Sequence, residues 1–308
     1  MKTIHVVLAA DENYVQHMGI TILSLLYTIE TNNFVAIYVI DDNLSTESRS
    51  ILRNIVGGYN ASISFLYVNN NIVKNLVVRH HLSRTAYYRL AIADILPVEI
   101  DKILYLDCDI IVRHDIAELW DIDISKYYAA AVADLGISGF DKKLHIRKNL
   151  GIPIDHPYFN SGVMLLNIRK WREERIGERV IQFIYNNPDK IVFCDQDGLN
   201  AVLWNNWLPL DVKWNTQSCL FRMYYKRKER RTLSLDKIDA IKDPHIVHFT
   251  EGTKPWHCIC AIPYANEYKK YLIMTQWKDY RPSDNSTRNI MTRYRRIMRR
   301  RIKNLFIY

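Results

Sequence analysis

Three apolar runs, Thr3–Ala10, Phe34–Ile40 and Ile103–Leu106, are each followed directly by an aspartate: Asp11, Asp41 and Asp107. Runs this short and this rich in Val, Ile and Leu read as strands buried on both faces. Ile63–Val68 is a fourth. Between them lie stretches of helical periodicity: Val15–Tyr27, a segment from the N-cap Ser45 to Ile55, and Thr85–Ile95, stopped before Pro97. Strands alternating with helices at this spacing form a mostly parallel sheet with helices on its faces. Ligands of such sheets bind outside the carboxyl ends of the strands, where the three aspartates fall.

The second half is less regular. Ala129–Ala133, Gly162–Asn167 and Ile246–Phe249 read as strands, and Trp171–Tyr185 and Asp195–Trp204 as helices. Past Tyr271 the character changes. Arg288–Tyr308 holds seven arginines, one lysine and no acid, so of the net charge of +9 only +1 is left to the preceding 287 residues. Ile290, Met291, Tyr294, Ile297, Met298, Ile302, Leu305 and Phe306 recur among these cations at helical spacing. The pattern is that of a basic amphipathic helix lying in a membrane interface. The chain is therefore expected to divide into a catalytic domain, 1–271, and a basic docking region, 272–308. A nucleic-acid-binding domain would spread its charge over one face of the fold, whereas this body is nearly neutral.

With 48% hydrophobic and 24% charged residues, the composition excludes collagen-like and fully disordered chains. No apolar run approaches the ~18 residues of a transmembrane helix. Lys2 and the run Thr3–Ala10 resemble a secretory signal, but the run is short and ends in Asp11-Glu12, so a first strand is expected. The five cysteines are odd in number and scattered, as in a cytosolic protein with reduced thiols. Cys258-Ile-Cys260 with His257 lacks the second Cys/His pair that a zinc site needs.

The sharpest chemical signal is Asp107-Cys108-Asp109 between the apolar runs Ile103–Leu106 and Ile110–Val112. Two carboxylates at the end of a buried strand need a counter-charge. A divalent cation that also binds a diphosphate would supply it; two solvated acids in an exposed turn are the alternative.

These residues resemble the Asp-x-Asp region of glycosyltransferase family 8, the retaining GT-A enzymes that use nucleotide sugars. The likeness continues in order through Leu8-Ala-Ala-Asp-Glu-Asn-Tyr14, Thr85-Ala-Tyr-Tyr-Arg-Leu90, Phe159-Asn-Ser-Gly-Val-Met-Leu-Leu-Asn167, Asp195-Gln-Asp197 with Leu199-Asn200, and His248-Phe-Thr-Glu-Gly-Thr-Lys-Pro-Trp256. Within the family it is similar to the bacterial lipooligosaccharide α-galactosyltransferase branch, whose basic C-terminal segment the tail also resembles. The resemblance implies a GT-A fold, an α/β nucleotide-binding domain with a mixed, mainly parallel sheet. It makes Asp107, Asp109 and His248 the metal ligands, a set that suits Mn²⁺ better than Mg²⁺. Lys254 would contact the diphosphate, Asp11 and Asn13 the uridine, and Tyr14 the uracil face, with Ala10 and Cys108 in the same nucleotide site. Arg89, Asn160, Asp195 and Gln196 would hold the donor sugar, and His81 and Asp134 the acceptor. Where the relatives have glycine three residues after the histidine, this chain has Glu251, a carboxylate that would repel a diphosphate unless it points away.

Asp195, Gln196 and Asp197 form the implied catalytic group. A double displacement needs a carboxylate on the β-face, where the family carries Gln196, a poor nucleophile; Asp197 is adjacent. A front-face mechanism is therefore expected, with the leaving phosphate deprotonating the acceptor and Gln196 stabilising the oxocarbenium-like centre. The expected activity is transfer of galactose or glucose from UDP-galactose or UDP-glucose to a saccharide of a bacterial surface glycan, with an α-linkage. The tail would hold the enzyme on the anionic inner face of the cytoplasmic membrane. Alternatives are extension of a glycan on a surface protein, a self-glucosylating protein, and a nucleotidyltransferase, which would need a Gly-rich loop where Ala9-Ala10-Asp11-Glu12 stands. A nucleic-acid-binding protein would use the arginines but leave Asp107, Asp109, His248 and Lys254 without a role.

Overall fold

The computed structural model describes residues 2–30, 32–69, 76, 84–138 and 144–305. Ten strands are formed among them: β1 (Thr3–Asp11), β2 (Phe34–Asp42), β3 (Ala61–Leu66), β4 (Lys102–Leu106), β5 (Ile110–Val112), β6 (Ala129–Ala133), β7 (Phe159–Asn167), β8 (Trp207–Pro209), β9 (Thr216–Gln217) and β10 (Ile246–His248). Seven make one sheet in the order β3-β2-β1-β4-β7-β6-β8. β1 to β4 are parallel, and β7 runs antiparallel to both β4 and β6. β5, β10 and β9 form a small second sheet.

Both faces of the large sheet are covered, which is why its central strands read as unbroken apolar runs. Val6 and Leu8 of β1 join Met18 and Ile22 of the helix Val15–Thr28 in one core. Val7 points the other way and packs with Ile103, Tyr105 and Trp171 in the second. β1, β2 and β4 all reach the same edge of the sheet with their carboxyl ends, and the site lies there.

Two helical expectations are corrected. Trp171–Tyr185 is two helices, Ile168–Glu173 and Ile176–Asn186, broken where Arg175 adopts φ 51°. The break lets the second helix sit directly on the chain before it: a Cβ on Gly177 would come within 2.0 Å of the Leu90 carbonyl oxygen. Thr85–Ile95 is a 3₁₀ segment, Arg84–Ala91, followed by one α-turn, Ile92–Ile95. Three residues per turn align Thr85 with Tyr88, and both hydroxyls donate to Asp42, at 2.9 and 3.0 Å.

Asp41, at a strand end, serves structure instead of ligand. It is buried, accepts from Leu44 N at 2.7 Å and pairs with Arg49 at 2.6 Å, fixing the start of the helix Thr46–Val56. Beyond residue 272 the chain stays on the body. Gly19 makes room for Trp277, and Asp284 accepts from the backbone of Cys258 and Ile259. The exposed basic helix begins at Thr287 and runs to Leu305, with Phe306 outside the described residues.

Candidate active site

Asp107 and Asp109 occupy the turn from β4 into β5, and β5 pairs antiparallel with β10 so that His248 faces Ile110. That register carries the imidazole over the aspartates. His248 Nε2 stands 3.1 Å from Asp109 Oδ1 and 3.8 Å from Asp107 Oδ2. On the far side of the ring, Nδ1 is 3.0 Å from Asn215 Oδ1. Asn215 in turn donates from Nδ2 to Asn160 Oδ1 at 2.9 Å, so its oxygen is the atom left for the imidazole. Nδ1 therefore carries a proton, and Nε2 is the ring atom turned to the carboxylates.

This is the orientation a metal-ligating histidine needs. The three ligand atoms lie within 4.8 Å of one another. Asp107, Asp109 and His248 fit a divalent cation. Crowding here tolerates no side chain at Gly162, whose Cβ would lie 2.2 Å from His248 Cε1 and 2.6 Å from Asp107 Oδ2.

Two cations, Arg89 buried and Lys254 partly buried, balance the acids. Arg89 donates to Asp107 at 2.8 Å, reaches Asp195 at 3.3 Å, and lies 4.3 Å over the Tyr105 ring. Burial opposes its charge, but Asp107 and Asp195 more than compensate, so its pKa is raised. Lys254 Nζ is 2.6 Å from Asp109 and 2.7 Å from the Phe249 carbonyl. Burial also opposes ionisation of Asp109, and Lys254 and His248 overcome it, holding the carboxyl well below its usual range. Asp195 is different: burial pushes it up to about 6 in spite of Arg89.

Two cavities meet at this cluster. The first, about 170 Å³, lies between the end of β1 and the 3₁₀ segment, with Ala10, Asp11, Tyr14 and Cys108 in its wall. Tyr14 stands edge-on to Trp256 at 5.9 Å, and Trp256 stacks on His17 at 3.5 Å. Burial keeps the Cys108 thiol protonated, and its Sγ donates to the Ala9 carbonyl. The second, about 470 Å³, opens beyond the aspartates onto Asp134, Asn160, Asp195 and Gln196. Arg89, Asp107, Asp109 and Lys254 belong to both.

In the second cavity, Gln196 Oε1 accepts from Ser161 N at 3.0 Å and from Asn160 Nδ2 at 3.1 Å. Its Nε2 donates to Asp134 Oδ2 at 3.1 Å. Cys194 starts the helix Cys194–Leu203 at φ 47°, turning Asp195 and Gln196 toward the cavity.

Three expected site residues fare differently. Asp197 does not reach either cavity. Fully buried, it accepts from Tyr158 Oη at 2.6 Å and from the N–H groups of Val192 and Phe193 at 2.6 and 2.7 Å. One helical position after Gln196, it points back into the protein. Asn13 is exposed and outside the cavity wall that holds Asp11 and Tyr14. His81 lies outside the described residues.

Glu251 is turned aside by an ion pair with Arg222, which answers the repulsion its position predicts. Asn215 was not legible in the sequence; nothing marks it within the short turn Val212–Asn215. Nor was Gln217, which holds the Asp134 loop through Leu135 N and the Ala133 carbonyl, each at 3.0 Å. Ser161 sits inside the recognised motif, where its hydroxyl donates to Asp195 at 3.1 Å.

Acids and an imidazole at the carboxyl edge of this mixed sheet, flanked by two cavities, define a GT-A glycosyltransferase. The profile for Glycosyl transferase family 8 matches residues 5–260, and the chain belongs to that family. It is 37% identical to General stress protein A of Bacillus subtilis over 282 residues, 90% of this chain and 95% of that one. It is 26% identical to a lipopolysaccharide 1,2-glucosyltransferase of Escherichia coli over 284 residues, 92% of this chain and 81% of that one. The fold is that of the galactosyltransferase LgtC, solved with donor and acceptor sugar analogs. That structure superposes with a TM-score of 0.78 at 24% identity, covering 89% of this chain and 96% of LgtC.

Proposed function

We propose that the protein is a metal-dependent retaining hexosyltransferase that moves galactose or glucose from its UDP-sugar to a saccharide acceptor of a bacterial surface glycan, forming an α-linkage. The observation that carries this reading is the joining of the two cavities by Asp107, Asp109, Arg89 and Lys254. The uridine fits the first cavity beside Asp11 and Tyr14, the hexose fits the second, and the diphosphate crosses between them. Lipopolysaccharide 1,2-glucosyltransferase and 1,3-galactosyltransferase are both among the relatives, which supports a hexose donor and a glycan acceptor.

Asp107, Asp109 and His248 would hold Mn²⁺, or Mg²⁺ in its place. The ion supplies Lewis-acid stabilisation of charge on the departing UDP. Lys254 transfers its charge from Asp109 to the diphosphate. Arg89, Asn160 and Asp195 hold the sugar hydroxyls, and Asp134 faces the acceptor.

With Asp197 withdrawn, chemistry on the donor's front face needs no protein nucleophile. The acceptor oxygen bonds to the anomeric carbon on the side UDP leaves, the electron pair of the breaking bond stays with the phosphate oxygen, and that oxygen takes the acceptor's proton. The Gln196 amide, fixed by three hydrogen bonds, lies beside the developing positive charge.

The C-terminal helix would dock on the anionic inner face of the cytoplasmic membrane. No helix among the described residues is long and apolar enough to cross a membrane. Met291, Tyr294 and Met298 share one face of the helix and are 51%, 63% and 50% exposed. Arg293, which bonds Asn266, and Arg300, which lies over Tyr225, turn toward the body. An apolar stripe facing outward is the geometry of interfacial insertion, and each basic residue near the surface adds up to ~1 kcal/mol. The division of the chain is then a catalytic body that includes residues up to 286 and a docking helix from Thr287.

Donor hydrolysis against a panel of nucleotide sugars, with Mn²⁺ and with EDTA, tests the activity. UDP release from one hexose donor that needs metal and disappears in Asp109→Asn is expected. Failure of UDP and Mn²⁺ to bind at all would overturn it.

A further inference from the structure

A third cavity, about 350 Å³, lies between the C-terminal helix and the body. Its floor is apolar: Phe221, Ile262 and Pro263. Its rim is cationic. Arg296, Arg299 and Arg300 come from the helix, and none of the three has a carboxylate within 4.0 Å among the described residues. Lys226 on the same wall is paired with Glu229, and Arg222 with Glu251. Three guanidinium groups without a carboxylate partner among the described residues thus stand around an apolar floor, and burial of Arg300 adds a desolvation cost that lowers its pKa. An anion carried on an apolar body offsets that cost.

The position of this cavity identifies which anion. Arg222 and Glu251 are common to its wall and to that of the hexose cavity, so a ligand in one is a neighbour of a ligand in the other. The exposed apolar stripe of the same helix lies on the side a membrane would occupy. We infer that the cavity binds the phosphate group of a lipid-borne acceptor, its chain lying over Phe221, Ile262 and Pro263 while its sugar extends past Arg222 and Glu251 to the donor. This rests on the glycosyltransferase reading and adds the chemical class of the acceptor: a phosphate-bearing amphipath.

The same chemistry is offered by free phosphate and by the headgroups of a bilayer, and the test separates them. Binding to the full chain is measured calorimetrically for monomeric dihexanoyl phosphatidic acid and for inorganic phosphate, and by sedimentation for phosphatidylglycerol vesicles. UDP with Mn²⁺ is titrated in parallel. The lipid is expected to bind at least tenfold tighter than inorganic phosphate. Arg296→Ala combined with Arg300→Ala should weaken it tenfold or more while leaving UDP binding unchanged. Arg299→Glu, at an exposed position that folding does not depend on, should weaken it also.

Equal affinity for lipid and inorganic phosphate would overturn the inference, because the apolar floor would then contribute nothing. So would vesicle binding without binding of the monomer, which is surface attraction alone, or lipid affinity unchanged in both variants. UDP binding by the wild type with no lipid binding removes this inference only, whereas absence of UDP binding removes the reading beneath it.

Discussion

A Cβ placed on Gly162 would lie 2.2 Å from Cε1 of His248, so this glycine is the opening through which the imidazole reaches the aspartates. Its requirement is closeness of approach, since any methyl here displaces His248 or Asp107. Gly162→Ala is expected to cost about 1–3 kcal/mol of stability through overpacking. It should also weaken metal binding about 10–100-fold, the range seen when a ligand's support is disturbed. Mn²⁺ titration in the presence of UDP checks it; metal affinity equal to the wild type would remove this role.

Asp197 and Gln196 are neighbours in sequence with opposite duties. Asp197→Asn weakens hydrogen bonds to Tyr158, Val192 and Phe193, and should lower stability by about 2 kcal/mol. The folded variant is expected to keep most of its kcat. Thermal unfolding and steady-state kinetics together decide the matter: unchanged stability with abolished turnover would make Asp197 a nucleophile after all.

His17 sets a pH dependence of stability. Burial against Trp256 lowers its pKa from 6.5 to about 3. The unfolded chain binds this proton near 6.5 and the folded chain does not, so the contribution is complete above pH 6.5 and declines as pH falls toward 3. Between pH 6.5 and 5 the loss amounts to about 2 kcal/mol. His17→Gln should flatten that segment of the stability–pH curve, measured by urea denaturation; an unchanged slope would assign the titration elsewhere.

Removal of residues 287–308 should leave metal-dependent donor hydrolysis intact and abolish binding to anionic vesicles. Added salt should weaken vesicle binding by the full chain, since exposed charges are screened within about 10 Å at 0.1 M. Vesicle binding that survives the truncation would place the membrane contact on the body.

Much of the catalytic body was legible because its signals are local. The apolar runs of β1, β2 and β4 are strands since both faces of the sheet are covered, and Asp11 and Asp107 follow from where those strands stop. The single helix expected over Trp171–Tyr185 was not found, because periodicity continues through Arg175 while the backbone turns there to seat Gly177 on Leu90. Asn215 and Gln217 were invisible for a related reason. Each acts through one hydrogen-bonding atom on a partner distant in sequence, and no spacing rule encodes such a pair.

The sequence by itself determined the family, the alternation of strands and helices in the first half, the paired carboxylates and the basic amphipathic tail, all carried by contiguous residues. The tertiary structure decided which way those residues face. Pairing of β5 with β10 brings His248 to Asp109, the turn at Cys194 sends Gln196 to the cavity and leaves Asp197 inside, and packing against Asn266 and Tyr225 turns Arg293 and Arg300 inward and the stripe of Met291, Tyr294 and Met298 out. Facing is fixed by strand register and by the shape of the packed core, and both depend on contacts between segments far apart in the chain.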